Sequence, residues 1–386
     1  MFPLYNRVIK LPKAPKRTLF LWGPRQVGKT SILRKLYSKL PQINLLKSDE
    51  FTAYQARPEL LRERALQNNW QCVIIDEIQK VPQLLDEIQY LIEEHKMIFI
   101  MCGSSARKIK ANHANLLGGR ALRFEMFGLV SRELGEKFDL KRILNHGYTP
   151  SIYDSDEHVL LLKSYCADYL KEEVFAEGLV RKLAPFSRFL EIAALGDTQL
   201  ISYETIARDC GVSAPTVKSY FEILSDTLLG HFLPAYAIRP KRRQTLSPKF
   251  YFADVGVVNH LAQRGQMAAG SSAFGVAFEN FIHHELRAWI EYRQRSEQLT
   301  YWQLTTGVEV DFIVGHMNCA IEAKSSDRIT ADHMKGLREL KEDYPEVARR
   351  IIVSRERISR LTKDGIEILS VADFLKELWD DKLIKS

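Results

Sequence analysis

A glycine-rich segment near the start of the chain has the residue types and spacing of a phosphate-binding loop. The apolar run Leu19-Phe20-Leu21-Trp22 leads directly into Gly23-Pro24-Arg25-Gln26-Val27-Gly28-Lys29-Thr30, which has the form Gly-x-x-x-x-Gly-Lys-Thr. In such a loop backbone N–H groups wrap phosphates, the lysine adds positive charge, and the threonine hydroxyl reaches Mg²⁺. The helix that follows from Ser31 also points its positive end at the phosphates. The segment therefore predicts that Gly23 to Ser31 bind ATP and Mg²⁺.

Two later apolar runs end in polar residues that are suited to complete this site. The first, Cys72 to Ile75, leads into Asp76 and Glu77, and its unbroken apolar pattern is typical of a central parallel strand. We expect Asp76 to hold Mg²⁺ and Glu77 to polarise the attacking water; the alternative is a buried strand that ends in two solvated acids. The second run leads into Ser104, which either contacts the γ-phosphate or the water, or caps the next helix.

An arginine follows a flexible pair of glycines, Gly118-Gly119-Arg120. A mobile guanidinium can neutralise transition-state charge on phosphate, within its own subunit or in a neighbouring one. The alternative is one more surface arginine. Arg25 in the loop and Arg107 after the serines are weaker candidates for the same role.

The elements that must position these residues alternate between strand and helix in the first 150 residues, which predicts a parallel sheet covered by helices. Between the second and third of these strands, apolar residues repeat at helical spacing from Leu84 to Ile92. Around residues 145–151 the composition becomes polar and turn-forming, which marks a boundary. We therefore place a P-loop domain at 1–150, and domains at 151–265 and 266–386.

The middle domain contains a helix-turn-helix pattern. Ser202 and Ser213 are predicted to cap two short helices, with Gly211 in the turn between them and Pro215 in the first turn of the second helix. A strand and a basic segment follow, as in a winged helix. If this unit binds DNA, the contacts would be made by the groove-facing and basic residues Thr216, Lys218, Lys241, Arg242 and Arg243. The alternative is a winged helix used for packing or for a subunit contact.

The last domain combines acids with a lysine. A helix carries Glu279, and two strands with alternating pattern, Glu309 to Val314 and Cys319 to Lys324, form a predicted hairpin. Period two allows Asp311, Glu322 and Lys324 to converge below Glu279. Two carboxylates that hold a second Mg²⁺ and a lysine that orients water are a minimal set for phosphodiester hydrolysis. The alternative is a salt-bridge ladder or an inactive fold. His283 and His284 are expected to be surface and packing residues.

Composition sets the outer limits of these interpretations. The chain has 386 residues, with 46% hydrophobic residues, 27% charged residues and a net charge of +7, which permits nucleic-acid contact without requiring it. The five cysteines are scattered without a Cys-x-x-Cys pair, which is typical of a reducing compartment. We find no apolar run of membrane-spanning length and no signal peptide, so we expect a cytoplasmic protein without membrane contact.

These motifs together resemble a family of prokaryotic AAA-type ATPases whose C-terminal domain of unknown function is similar to the PD-(D/E)xK restriction-endonuclease fold. The resemblance covers almost the whole chain and rests on the P-loop, Asp76-Glu77-Ile78-Gln79, Cys102 to Arg107, Gly119-Arg120, Tyr251 to Gly256, Glu309 to Phe312 and Ile321 to Lys324. It implies a multidomain α/β protein made of an AAA-like P-loop domain, a helical and winged-helix domain, and an α/β endonuclease-like domain.

The resemblance also implies roles for individual residues. Lys29 would bind phosphate, Thr30 and Asp76 magnesium, and Glu77 would act as the base, with Ser104 and Arg120 as sensor and finger. The leading hypothesis is an ATPase that couples its nucleotide state to a DNA-facing C-terminal module. The alternative is a slow switch or scaffold that binds a protein partner and has an inactive nuclease-like domain. Because Arg120 can act within a subunit or across an interface, a homo-oligomer stays open.

Overall fold

The computed structural model describes residues 5–105, 119–175, 183–238 and 242–384, the stretch 168–175 by its backbone alone. Its N-terminal sheet has five parallel strands in the order β2-β3-β4-β1-β5. They are β1 (Thr18–Trp22), β2 (Gln42–Asn44), β3 (Cys72–Asp76), β4 (Ile98–Gly103) and β5 (Ala121–Glu125). Since these strands are parallel, the P-loop after β1 and Asp76 at the end of β3 lie at the same edge of the sheet, with the end of β4 between the two strands.

Helices cover both faces of this sheet, as the alternating pattern predicted. They are α1 (Lys29–Leu36), α2 (Ser48–Ala56), α3 (Leu60–Gln67) and α4 (Leu84–His95). Alternate residues of β1 enter different apolar cores, Leu19 and Leu21 on one side and Phe20 and Trp22 on the other. The predicted apolar stripe of α4 is buried at Leu84, Leu85, Ile88 and Leu91.

Helices dominate the segment that follows β5. Its elements are α5 (Ser131–Leu134), α6 (Leu140–His146), α7 (Pro150–Tyr153), α8 (His158–Phe175), α9 (Leu183–Leu195), α10 (Tyr203–Cys210), α11 (Ala214–Asp226) and, after a hairpin, α12 (Val255–Leu261). The predicted caps of α10 and α11 are present, because Ser202 accepts from Thr205 N and Ser213 from Thr216 N. Gly211 between them has φ +66°. The two capped helices and the turn at Gly211 are therefore present as predicted.

The hairpin after α11 differs from the predicted strand and basic segment. Its strands are β6 (Gly230–Leu233) and β7 (Lys249–Phe252), which pair antiparallel. The segment between them leaves the hairpin and follows the C-terminal sheet, where Tyr236 N donates to Tyr301 O at 2.6 Å and Thr245 N donates to Gln303 O at 2.9 Å. The connection is therefore bonded to the next domain.

The C-terminal sheet has six strands in the order β12-β13-β11-β10-β9-β8. Helix α13 (Ser272–Tyr292) is followed by β8 (Leu299–Gln303), β9 (Glu309–Val314), β10 (Cys319–Lys324), α14 (Lys335–Asp343), β11 (Arg349–Ser354), β12 (Arg360–Leu361), β13 (Ile366–Ser370) and α15 (Val371–Trp379). The predicted hairpin strands, Glu309 to Val314 and Cys319 to Lys324, are β9 and β10, which pair antiparallel. No helix in the described ranges is long and apolar enough to cross a membrane.

One apolar cluster runs through both sheet domains. It contains Leu21 and Phe127 from the N-terminal part and Phe281, Trp289 and Phe312 from the C-terminal part. The boundaries at 151 and 266 stay predictions, and the two sheets are packed together through this cluster.

Candidate functional site

The P-loop bends sharply between β1 and α1, and two of its glycines have separate reasons to be glycine. Gly28 has φ +100°, which strains any residue with a side chain, and a Cβ on Gly23 would lie 2.3 Å from the Met126 carbonyl oxygen. The Lys29 side chain is buried, and its ammonium donates to the carbonyl oxygens of Gly23 at 2.7 Å and Pro24 at 2.8 Å. The Lys29 side chain is therefore held against the backbone of its own loop.

The structure brings Thr30 and Asp76 together. The Thr30 hydroxyl donates to Asp76 Oδ2 at 2.9 Å, so the start of α1 meets the end of β3. The Cys102 thiol lies 2.6 Å from Asp76 Oδ1, and burial together with this carboxylate raises the pKa of the thiol well above its ordinary value. Cys102 therefore stays a donor that orients Asp76. Sequence reasoning gave Cys102 no role of its own at this site, although parallel strands β3 and β4 pair Cys102 directly with Asp76.

Glu77 lies next to Asp76 in an unusual backbone conformation. Its φ is +61°, and its side chain is nearly buried. The Gln79 amide donates to Glu77 Oε2 at 2.5 Å and to Ser104 Oγ at 3.0 Å, so one side chain joins the ends of β3 and β4. Gln79 belongs to one of the motifs on which the family resemblance rests, but the resemblance implied no role for it. Its contacts make it a positioning residue for Glu77 and Ser104.

The structure does not bring Arg120 to the P-loop of its own chain. Arg120 precedes β5, whose first residue, Ala121, pairs with Thr18 at the start of β1. The P-loop begins at the opposite end of β1, roughly 17 Å away at the rise of a strand. Arg120 instead lies 3.1 Å from Glu93 of α4. This position argues against a contact with the P-loop of the same chain and leaves two alternatives, a contact with a neighbouring subunit and one more surface arginine. Arg107 lies outside the described residues.

A cavity of about 810 Å³ adjoins the P-loop. One wall is the segment before β1, and the other walls are formed by the P-loop, α1 and the chain after β5. The lining is mostly apolar, with Ile9, Leu11, Val27, Ile32, Met126 and Leu161 among its residues. Sequence reasoning did not identify this cavity, because its first wall carries no motif.

Arg7 connects that wall to the rest of the site. Its guanidinium is buried, lies 2.9 Å from Glu133 Oε2, and donates to the carbonyl oxygens of Phe127 at 2.6 Å and Val27. It also reaches the Tyr292 hydroxyl of α13 at 3.4 Å. One side chain thus joins the P-loop, the chain after β5 and the C-terminal domain. No local pattern in the sequence distinguishes Arg7 from other arginines.

The C-terminal acids Glu279, Asp311 and Glu322 lie close together, with Lys324 beside them. Lys324 Nζ lies 2.6 Å from Glu322 Oε1, and Asp311 Oδ2 accepts from Ala323 N at 2.8 Å. Two residues that sequence reasoning missed complete the group: Lys249 of β7 lies 3.6 Å from Glu279, and the Tyr251 hydroxyl donates to Glu279 Oε1 at 2.6 Å. We call Lys249, Tyr251, Glu279, Glu309, Asp311, Glu322 and Lys324 the acid cluster.

Burial controls protonation in the acid cluster. Desolvation, with repulsion from Asp311 as the next cause, raises the pKa values of Glu279 and Glu322 above the ordinary range. Burial alone would lower the pKa of Lys249, but the surrounding carboxylates raise it above its ordinary value, so this ammonium stays charged. Within the described part of the chain, no group of three or more His, Cys, Asp or Glu side chains is arranged to hold a metal ion.

The predicted DNA contacts have different surroundings. Lys218 and Arg243 are exposed, and Thr216 is partly exposed beside its cap. The Arg242 guanidinium contacts Asp343 at 2.8 Å and Glu339 at 2.9 Å on α14. Arg242 therefore attaches the connection to the C-terminal domain, and Lys241 lies outside the described residues.

His283 and His284 are packing residues, but they do not lie at the surface as predicted. His283 stacks on Tyr251 with ring centroids 4.0 Å apart, and His284 stacks on Tyr148 at 3.9 Å. Burial lowers the pKa of His284 to about 3, so its ring is neutral. The hydrophobic cluster reaches further around α13 than its sequence pattern indicates.

Comparisons with family models divide the chain into three parts. Residues 15–135 match the model of the AAA domain, and residues 137–268 and 274–374 match two models that are each described as a domain of unknown function. The N-terminal part is therefore an AAA-type P-loop domain, as predicted. The endonuclease-like identity of the C-terminal part stays a prediction.

Two relatives that match most of the chain have low sequence identity to it. An uncharacterized protein of Mycobacterium tuberculosis, Rv2008c, is 26% identical over 310 residues, which is 79% of this chain and 68% of that protein. An uncharacterized protein of Haemophilus influenzae is 22% identical over 77% of this chain and 78% of its own.

Two solved structures show distant similarity. The Orc1 protein of Aeropyrum pernix in complex with DNA aligns over 64% of this chain and 87% of its own, with 14% identity and a TM-score of 0.28. The replication initiator DnaA bound to AMPPCP and single-stranded DNA aligns over 55% and 83%, with 12% identity and a TM-score of 0.29. Similarity at this level carries no argument about function.

Proposed function

We propose that this protein binds ATP with Mg²⁺ at the P-loop and hydrolyses it. The observation that carries the proposal is the hydrogen bond between Thr30 and Asp76, which joins the two halves of a nucleotide site directly beside Lys29. A hydroxyl and a carboxylate are hard oxygen donors of the kind that Mg²⁺ prefers, so these two residues fit the ion. When bound, the ion would neutralise charge on the phosphates.

The other residues of the site have distinct roles in this proposal. The P-loop amides and Lys29 bind the phosphates, and Glu77 accepts the proton of the attacking water. Gln79 holds Glu77 and Ser104 at a fixed separation through its amide. The apolar cavity beside Gly28 receives the nucleoside, because it opens onto the P-loop and its walls are suited to a flat ring. Arg120 serves the site of a neighbouring subunit.

Phosphate release tests this proposal. We expect turnover that requires Mg²⁺, that is lost in Lys29→Ala, and that falls sharply in Glu77→Gln while ATP binding is retained. Glu94→Gln, an exposed acid on α4, is the matched control and should leave turnover unchanged. Equal turnover in wild type and Lys29→Ala would contradict the proposal.

For the remainder of the chain we favour the switch that binds a protein partner over the DNA-facing nuclease. The supporting observation is Arg242, the centre of the predicted phosphate-binding cluster, whose guanidinium is neutralised by Asp343 and Glu339. Of the predicted DNA contacts, exposed Lys218 and Arg243 are the remaining described cations. Binding of duplex DNA at low salt, where phosphate contacts are strongest, that is lost in Lys218→Ala with Arg243→Ala would reverse this preference.

A further inference from the structure

Strand β7 presents its two faces to two different parts of the molecule. Phe250 and Phe252 pack into the apolar core of the helical segment. Lys249 and Tyr251 point the other way, as the period of a strand requires, and reach the acid cluster of the C-terminal domain. The hairpin therefore contributes a cation and a hydroxyl to a site whose acids come from α13, β9 and β10.

Lys249 occupies the centre of that cluster. Its side chain is only 3% exposed, and its ammonium lies 3.1 Å from Glu309, 3.6 Å from Glu279 and 3.9 Å from Asp311. It also lies 5.5 Å from the centre of the Tyr301 ring. Three carboxylates thus converge on one buried ammonium.

Other groups besides Lys249 also contact the acids of the cluster. Glu279 accepts from the Tyr251 hydroxyl, and Asp311 Oδ2 accepts from the backbone N–H of Ala323. Glu322 faces Lys324 at 2.6 Å. A divalent ion between Glu279 and Asp311 would have to share these carboxylates with a positive charge within about 4 Å, at which distance like charges repel strongly in a buried site.

We propose that the Lys249 ammonium is the resident cation of the acid cluster, and that it takes the place a divalent metal ion would need. The metal implied by the endonuclease resemblance does not fit beside it. The C-terminal domain therefore does not cleave phosphodiester bonds by a metal-dependent route, and its acids instead bind the β7 hairpin. This inference concerns the acid cluster alone and stands whether or not the P-loop hydrolyses ATP.

Titration with Mn²⁺, followed by the electron paramagnetic resonance of the free ion, tests the proposal on the full chain. Wild type and Asp311→Asn should bind the same number of Mn²⁺ ions, because Asp311 holds no metal while Lys249 is present. Lys249→Met keeps the stem and removes the charge, so it should gain one Mn²⁺ site. That site should disappear in Lys249→Met with Asp311→Asn.

The controls separate the acid cluster from the P-loop. Lys218→Met removes an exposed lysine and should gain no site. Each protein and its Asp311→Asn counterpart hold the same Mn²⁺ at Thr30 and Asp76. A difference in their number of bound ions therefore arises at the acid cluster. A site in wild type that is lost in Asp311→Asn would overturn the proposal, as would metal-dependent plasmid cleavage by wild type that is lost in Lys324→Ala. A folded Lys249→Met without a new site would also overturn it. If Lys249→Met does not fold, the comparison of wild type with Asp311→Asn decides.

Discussion

The P-loop site and the acid cluster use the same residue types in different ways. Each contains a buried lysine and an aspartate at a strand. Lys29 donates to the neutral carbonyl oxygens of Gly23 and Pro24, whereas Lys249 is surrounded by the carboxylates of Glu279, Glu309 and Asp311. Asp76 is bonded to a hydroxyl and a thiol, both of which are neutral donors.

The difference shows when a buried lysine together with an aspartate is suited to bind a charged ligand. Lys29 is bonded to carbonyl oxygens of the loop that is expected to bind phosphate, whereas Lys249 is held by three carboxylates that compensate its charge inside the protein. Composition alone therefore does not decide whether an acid and a lysine form a site or an internal ion network.

The largest effect is expected at Lys29. Lys29→Ala removes the positive charge that faces the phosphates, so ATP turnover should fall roughly 1,000-fold, in the range seen for groups that stabilise transition-state charge. Phosphate release under saturating Mg²⁺ measures it, with Arg34→Ala on the exposed side of α1 as the control. A loss below about tenfold would mean that Lys29 is as compensated as Lys249.

Lys249→Met tests the acid cluster, the second region of this comparison. It leaves three carboxylates facing each other without their ammonium, which should lower the free energy of unfolding by about 3 kcal/mol. Urea unfolding at neutral pH, followed by tryptophan fluorescence, measures the change. Lys218→Met should change it by less than about 0.5 kcal/mol. Unchanged stability in Lys249→Met would show that the cluster does not depend on this cation.

Glu77→Gln should separate binding from chemistry at the P-loop. The amide keeps the shape and the contact with Gln79 but cannot accept a proton, so kcat should fall about 100-fold while ATP affinity is retained. Turnover together with fluorescent-nucleotide binding measures both quantities. If ATP affinity falls in parallel with kcat, Glu77 contributes to binding and not to proton transfer. Its role would then be like that of the acids in the acid cluster, which hold the structure together.

The smallest effect is a pH dependence that arises in the acid cluster. Because burial raises the pKa values of Glu279 and Glu322, the folded state holds their protons more tightly than the unfolded state does. This contribution is complete below the ordinary pKa of a glutamate and is lost as pH rises through the raised values. From about pH 5 to about pH 8, wild type should therefore lose roughly 1 to 2 kcal/mol more stability than Glu322→Gln. Urea midpoints across this range test it, and Glu94→Gln should keep the wild-type slope.

Local patterns were sufficient to predict much of the architecture. The glycine spacing located the loop at Gly28 and Lys29, the apolar runs predicted the strands before Asp76 and Ser104, and the two capping serines were found where expected. These features depend on residues close together in the chain. The period of the strands also predicted that Asp311, Glu322 and Lys324 face one another.

Partners that come from distant parts of the chain could not be predicted in this way. Periodicity indicates which face of a strand is buried, but it does not identify what lies opposite, so Lys249 was missed. The run of basic residues around Arg242 indicated charge without indicating the acids on α14 that neutralise it. The end of the strands at which Arg120 lies followed only from the observed register of β5.

The contacts of Arg7 join segments of the chain that are synthesised at different times. Arg7 and its partner Tyr292 are 285 residues apart in the sequence, so the ribosome synthesises the wall of the cavity beside the P-loop long before the Tyr292 hydroxyl that contacts it. At about 5 to 20 residues per second, the delay is on the order of tens of seconds. A nascent chain that already displays its P-loop therefore lacks one contact of the cavity wall until α13 has emerged.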